Sequence, residues 1–169
     1  MKAKLVVEGK EFDIEILDPK LQELIAPKKK TGYERVEHGK NFYHTSHSGH
    51  WITQDEDVGG AYSNDFYSAA NYYSSQELAQ NNARADKLMR QLRRFAVEHR
   101  SKELSWNDFG QRKFYIGYDC KRKVFDVECD TDYITSHTVY FDSYESAEDA
   151  ISVFSSELKW YFTEYKDSL

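Results

Sequence analysis

The sequence predicts an α+β protein in which an N-terminal β-hairpin precedes two similar ββ(β)α units. The main observation is that residues 41–97 and 113–165 present the same order of signals. Each segment opens with an aromatic strand, reaches an aromatic pair followed by Ser and Glu, and ends in a long amphipathic pattern. The length of 169 residues suits one compact domain. We therefore expect an antiparallel sheet packed with two long helices, and boundaries that divide the chain into 1–31, 32–104 and 105–169.

The N-terminal segment combines a hairpin with a linker. Residues 4–7 and 12–16 have strand-like composition, and the glycine between them permits a tight turn. Asp18 and Pro19 are typical of the first positions of a helix. Residues 27–32 hold a proline, a lysine run and a glycine, and none of these favours continued helix, so this segment predicts a linker.

The first unit begins with short strands and an irregular segment. Residues 55–70 are rich in acidic, Gly, Ser and Asn residues and show no periodicity, so they are expected to be irregular. A strand should end at Tyr72 and Tyr73. Earlier strands are expected at 33–36, 42–45 and 50–53.

The first long helix is expected to start at Ser74 or Ser75 and to continue to about His99. Ser74 and Glu77 have the spacing of a capping box. Its apolar stripe recurs at helical spacing and consists of Leu78, Ala85, Leu88, Met89, Leu92, Phe95 and Ala96.

The second unit repeats this plan. Residues 114–118 and 124–128 alternate apolar and polar positions around a turn, and 138–141 is the expected third strand. Ser143 is expected to cap the last helix. The apolar stripe of that helix is Ala147, Ala150, Ile151, Phe154, Leu158, Tyr161, Phe162 and Tyr165.

Charge and cysteine usage limit the classes of function. The net charge of −6 arises after Ser105, because residues 1–105 hold 16 basic and 16 acidic residues, whereas 106–169 hold 7 and 13. This acidity argues against a general nucleic-acid coat protein. The two cysteines, Cys120 and Cys129, are too few for a disulfide framework. With no signal-peptide pattern and no run of roughly 18 apolar residues, a cytoplasmic protein without a membrane span is expected.

Seven short motifs carry a family resemblance. They are strand starts, helix caps and core aromatics at 32–36, 39–43, 72–77, 92–96, 106–108, 113–119 and 139–143. Through these motifs the chain resembles a family of small proteins encoded by phages and prophages of Gram-positive bacteria. The resemblance implies a mobile-element origin and the cytoplasm of a bacterial host cell, and it assigns no catalytic residues.

A histidine cluster departs from that family, whose members usually have a plain polar turn at this place. His44, His47 and His50 recur at intervals of three around Gly49, and neutral imidazoles bind zinc, nickel or copper. A metal-dependent enzyme using residues 44–50 is therefore one hypothesis. Against it, a strand places His44 and His47 on opposite faces, and no Cys pair completes the metal shell. Solvated hairpin residues are the alternative, and no cofactor is expected.

A basic stripe follows the first long helix, opposite its apolar face. Such a face could contact phosphates, which would give a nucleic-acid-binding accessory protein using residues 84–102, or it could contact an acidic protein. An ordinary solvated helix face is the alternative. The candidate binding residues on it are Arg84, Lys87, Arg90 and Arg94.

The second unit offers an acidic strand face. Asp126, Glu128 and Asp130 alternate along one strand and so share one side of it. A protein that blocks a DNA-binding enzyme would need such a phosphate-like surface. Solubility is the alternative reason for these charges.

A group of rings completes the candidate partner-binding residues. Trp51, Tyr62 and Tyr67 lie in or beside the segment expected to be irregular, where rings are either interface anchors or a small satellite core. No Gly-rich phosphate loop or GxSxG elbow is present, so a non-enzymatic role is expected. The leading hypothesis is a phage or prophage accessory protein that binds a host protein. Its sharpest form is an inhibitor of a bacterial defence system, as in anti-CRISPR or other counter-defence.

Overall fold

The described residues form small antiparallel hairpins and helices. Two hairpins come first, followed by two helices, a third hairpin and a last helix. A computed structural model describes residues 2–7, 9–21, 30–46, 49 and 51–165. The chain divides into two compact units, Met1–Glu34 and Arg35–Leu169. The α+β class is therefore confirmed.

The first unit is a hairpin of β1 (Lys2–Val7) and β2 (Lys10–Glu15), paired antiparallel with Lys4 opposite Asp13. Gly9 has φ +78° in the turn, a conformation that an L side chain disfavours. Residues 19–21 are helical, and Asp18 Oδ1 accepts from the Lys20 amide at 2.8 Å, which fits the predicted helix start. Residues 22–29, which include the first half of the predicted linker, lie outside the described residues.

The second unit contains two hairpins and three helices. Its elements are β3 (Asn41–Thr45), β4 (Ile52–Glu56), α1 (Ala61–Ser68), α2 (Gln76–Glu98), β5 (Lys113–Asp119), β6 (Val124–Asp130) and α3 (Tyr144–Trp160), which continues into a π-helical turn at Tyr161–Tyr165. None of the helices within the described ranges has the length and apolar content needed to cross a membrane.

Within the part of the chain that the structure describes, the strands form three separate two-stranded sheets rather than the one antiparallel sheet expected. The expected third strands are single bridges: Tyr43 exchanges both backbone hydrogen bonds with Tyr73, and Phe114 does so with Phe141. A serine that begins a helix follows two residues after each bridge. Residues 33–36, also expected to be a strand, form none.

Side-chain caps fix where the two long helices begin. Ser75 Oγ accepts from the Leu78 amide at 3.3 Å, so the cap is Ser75 and not the Ser74 of the expected capping box. Ser143 Oγ accepts from the Ser146 amide at 3.0 Å, as expected.

The expected apolar stripes of α2 and α3 meet in one core. Aromatic residues of β5 and β6 pack against it from the hairpin side. The fully buried members are Ala85, Leu88, Leu92, Phe95, Ala96, Phe141, Ala147, Ala150, Leu158, Trp160 and Tyr161.

The expectation that residues 55–70 are irregular is wrong. β4 extends to Glu56, and α1 occupies Ala61–Ser68. Gly60 at the start of α1 provides no side-chain cap, so the helix depends on tertiary contacts. Phe66 stacks on His44 with ring centres 3.9 Å apart, and Ser63 Oγ donates to Asp57 at 2.9 Å. These contacts are not visible in local periodicity.

Candidate functional site

One buried lysine organises the open end of the β5–β6 hairpin. Lys113, the first residue of β5, is 0% exposed and pairs with Asp130, the last residue of β6. Its ammonium donates to the carbonyl of Asp108 at 2.8 Å and to that of Thr131 at 3.0 Å. The Trp106 ring lies over the same ammonium, 5.0 Å away. A buried cation is unfavourable without such partners. The Lys113 ammonium therefore holds the segment before β5, which contains Asp108, to the segment after β6, which begins at Thr131.

Further contacts fix the segments 106–112 and 131–137. The side-chain amide of Gln111 makes two hydrogen bonds. Its Nε2 donates to the carbonyl of Glu103 at 2.8 Å, and its Oε1 accepts from the backbone N–H of Ser105 at 2.7 Å. The Tyr140 hydroxyl accepts from the Thr135 amide at 2.8 Å. The Tyr140 ring also packs edge-on against Trp106, with ring centres 4.9 Å apart. The two segments therefore have defined conformations.

These held segments present three large apolar side chains to solvent. Phe109 is 69% exposed, Tyr133 72% and Ile134 64%. We call this set the apolar end of the hairpin. Rings and branched side chains on a fixed backbone lose little entropy on binding, and such residues dominate protein interfaces. None of the three is among the binding residues predicted from the sequence, although Phe109 stands between the turn-forming residues Asp108 and Gly110.

The acidic strand face lies beside the apolar end. Asp126 and Glu128 are exposed and Asp130 is half-buried. Part of this charge has a partner within the hairpin, since Asp126 accepts from Arg122 Nη2 at 2.9 Å. Glu128 accepts from the Tyr115 hydroxyl at 2.9 Å, and this hydrogen bond raises the pKa of Tyr115 to about 12. The acidic strand face is therefore partly used in contacts within the hairpin.

The basic stripe of α2 divides into a structural part and an open part. Arg84 is structural: its Nε and Nη2 donate to Glu157 of α3 at 2.8 and 3.1 Å. Arg94 lies 3.5 Å from Glu98 on the same helix. Lys87 and Arg90 are exposed and make no ion pair with a carboxylate among the described residues.

The open part of the stripe lies against the β3–β4 turn. A methyl group at Gly49 would stand 2.5 Å from Arg90 Nη2, so the guanidinium would have to move aside. Gly49 also has φ +66°, a conformation that favours glycine. Lys87 and Gly49 line one cleft of about 220 Å³ together with Ile52 of β4. Trp51, 74% exposed, is the residue before Ile52. Trp51 does not line this cleft, and among the contacts of the described residues its ring meets neither Lys87 nor Arg90.

Tyr62 and Tyr67 are instead used in packing α1. The Tyr62 hydroxyl donates to Asp55 at 2.9 Å. The Tyr67 ring packs edge-on against Tyr72 and lies 5.6 Å from the Arg35 guanidinium. Both rings remain partly exposed, but neither lies on the segments that form the apolar end.

His44 is buried in β3 rather than offered to a metal. Its Nε2 lies 2.8 Å from Asp55 Oδ2, and its Nδ1 lies 3.3 Å from the carbonyl of Thr45. His47 and His50 lie outside the described residues. Across the ranges that the structure describes, no group of three His, Cys, Asp or Glu side chains could hold a metal ion.

A buried carboxylate lies behind α1. Asp57 is 2% exposed and accepts from Arg35 Nε at 2.8 Å, from the Tyr72 hydroxyl at 2.8 Å and from the Gly59 amide at 2.8 Å. The Arg35 hydrogen bond is the main reason that the pKa of Asp57 lies well below its usual range. With its oxygens satisfied by these donors, this group is part of the structural framework.

No protein-family model, curated protein or solved structure matches the chain. Function is therefore inferred from the residues and their geometry.

Proposed function

We propose that this chain is a non-enzymatic phage or prophage accessory protein that binds a protein of its bacterial host through the apolar end of the β5–β6 hairpin. The observation that carries the proposal is the exposure of Phe109, Tyr133 and Ile134 on segments that Lys113 holds together. Fixed, exposed apolar side chains are poor for solubility and well suited to filling pockets of a partner. The phage origin rests on the family resemblance.

The charges beside the apolar end indicate the chemistry of the partner. Asp108 and Asp132 are exposed on the two held segments, and Asp130 lies at the adjoining end of β6. The exposed Arg112 on the first segment offsets one of these three charges. A partner with basic residues around an apolar pocket would be complementary. Host proteins that bind nucleic acid have such surfaces. The most specific form of the proposal is that the partner is a nucleic-acid-binding component of a defence system.

The test is affinity purification from a nuclease-treated lysate of a Gram-positive bacterium, read by mass spectrometry. The wild-type protein should retain a stoichiometric partner that the triple variant F109A/Y133A/I134A loses. The matched control is V58A/V97A/V153A, which removes three exposed valines elsewhere and should retain the partner. No partner for the wild type, or equal recovery by both triple variants, would contradict the proposal.

A second candidate function is nucleic-acid binding through the open part of the basic stripe. The observation that favours it is that Lys87 and Arg90 are exposed and make no ion pair with a carboxylate among the described residues. Such cations on one helix face can contact the phosphates of a nucleic acid. The double variant K87E/R90E should then abolish a salt-sensitive mobility shift with single-stranded DNA, whereas K40E/K121E should not.

We also propose that residues 32–104 and 105–169 are two versions of one ββ(β)α unit with one long helix each. The support is that Tyr73 and Phe141 each make one bridge to a hairpin, and that Ser75 and Ser143, two residues later, each cap a helix. A crystal structure of the full-length protein in which only one of the two segments had this order of hairpin, bridge and capped helix would contradict this.

A further inference from the structure

A cavity of about 200 Å³ lies where α2, β5, α3 and the π-helical turn meet. Its walls are mainly apolar and include Met89, Leu92, Ile116, Phe141, Leu158 and Phe162. A cavity of roughly 150 Å³ with such walls is large enough for benzene. Sites for drug-sized ligands measure about 300–1,000 Å³, so the volume excludes nucleotides and large cofactors.

Two uncommon backbone conformations shape this cavity. His137 has φ +61°, the left-handed region that residues with a side chain rarely adopt. At the end of α3 the chain forms the π-helical turn Tyr161–Tyr165, and its first two residues reach the cavity wall. Conformations of both kinds are frequent at ligand sites, where the surrounding fold maintains them.

The solvent side of the cavity is polar. Ser136 and His137 are exposed and Thr138 is half-buried, and all three line the same cavity. Thr138 Oγ1 is held by Thr135 Oγ1 at 2.9 Å. Hydroxyl and imidazole groups can donate or accept a hydrogen bond, so this rim can meet one polar substituent of a ligand.

We propose that this cavity binds a free small aromatic molecule, between benzene and indole in size, that carries one polar substituent. The rings of Phe141, Tyr161 and Phe162 offer the edge and face contacts that another ring prefers. The thioether of Met89 adds a polarizable contact that adapts to the shape of the ring. This activity is separate from partner binding and does not depend on it.

The experiment is a titration of the full-length protein, with methyl groups isotope-labelled, by indole, p-cresol and toluene, followed by NMR. Methyl resonances of Leu92, Ile116 and Leu158 should shift saturably, with a dissociation constant on the order of 0.1–1 mM for indole. p-Cresol should bind several-fold more tightly than toluene, and H137A/T138V should remove that preference. M89F, which narrows the cavity, should weaken indole binding about tenfold or more. V153F, a matched substitution at an exposed site of α3, should leave it unchanged.

The wild-type titration decides the proposal even if M89F fails to fold. No saturable shift at these three methyls, or equal indole affinity in wild type and a folded M89F, would overturn it. A blocked tyrosine dipeptide that binds more tightly than p-cresol would assign the cavity to a side chain of a partner protein, which would also overturn it.

Discussion

The guanidinium of Arg84 lies 3.9 Å from the centre of the Trp160 ring and donates two hydrogen bonds to Glu157. One side chain of α2 thus binds a charge and a ring of α3 at once. The guanidinium hydrogen bond is the main reason that the pKa of Glu157 lies below its usual range. A residue that resembles part of a binding face therefore joins the two helices.

We expect R84A to destabilise the protein by about 1 kcal/mol, because the ion pair is partly exposed and the ring contact adds to it. R93A, which removes an exposed arginine of the same helix, should change stability little. Urea unfolding of R84A, E157Q and the double variant measures the coupling between the two residues. Strictly additive effects would show that the observed pair contributes nothing.

Asp57 should determine the acid stability of the second unit. D57N leaves the Arg35 guanidinium without its counter-ion and should cost roughly 2–3 kcal/mol. The folded pKa of Asp57 is depressed, so its contribution is present above the ordinary carboxyl pKa of about 3.9 and is lost as pH falls through the folded value.

Equilibrium unfolding between acid and neutral pH measures this contribution. Wild-type stability should fall steeply below about pH 4, and D57N should fall less steeply. E56Q, at the exposed neighbouring position of β4, serves as the control. If the free energy of unfolding fell equally steeply with decreasing pH in wild type and D57N, Asp57 would not be the group that determines acid stability.

Lys113 should order the apolar end of the hairpin. K113M keeps the aliphatic stem but leaves the carbonyls of Asp108 and Thr131 without their donor, at a cost of about 2 kcal/mol. Hydrogen exchange followed by mass spectrometry should show faster exchange in 106–112 and 131–137. K121M, at an exposed position in the β5–β6 turn, should match the wild type. Unchanged exchange in K113M would mean that other contacts hold the two segments.

Tyr115 should titrate later than an ordinary tyrosine. Its pKa is raised to about 12, chiefly by the hydrogen bond to Glu128, so E128Q should lower it toward about 10. The raised pKa adds stability that is fully present below about pH 10 and is lost as pH rises through about 12. NMR of ring-labelled tyrosine follows the titration, and Y115F assigns the signal. A Tyr115 ring resonance that titrated near pH 10, the ordinary pKa of tyrosine, would contradict the Glu128 contact.

Local signals in the sequence predicted the local features of the fold. Ser143 precedes an apolar stripe at helical spacing, and the helix begins there. α1 could not be predicted in this way, because Phe66 depends on His44 and Ser63 depends on Asp57, which lie outside the helix. The residues of α1 therefore show no apolar periodicity that would predict a helix.

The same distinction applies to the candidate site. Alternation along β6 was sufficient to place Asp126 and Glu128 on one exposed face. The apolar end was not predictable, because it depends on one ammonium that meets the carbonyls of Asp108 and Thr131, which are far apart in the sequence. Lysine in a strand ordinarily indicates a solvated edge, and burial of Lys113 reverses that expectation.

The shared core of α2 and α3 limits how this chain can be divided or recombined. Leu88 and Leu92 of α2 pack in the same cluster as Ala150 and Leu158 of α3, so neither half has a complete interior of its own. A fragment that ends after α2 would leave those leucines in water and should aggregate or remain unfolded. Exchange of one half between related genes would have to preserve the facing side chains of the other. We therefore expect the two repeated segments to fold together rather than one at a time.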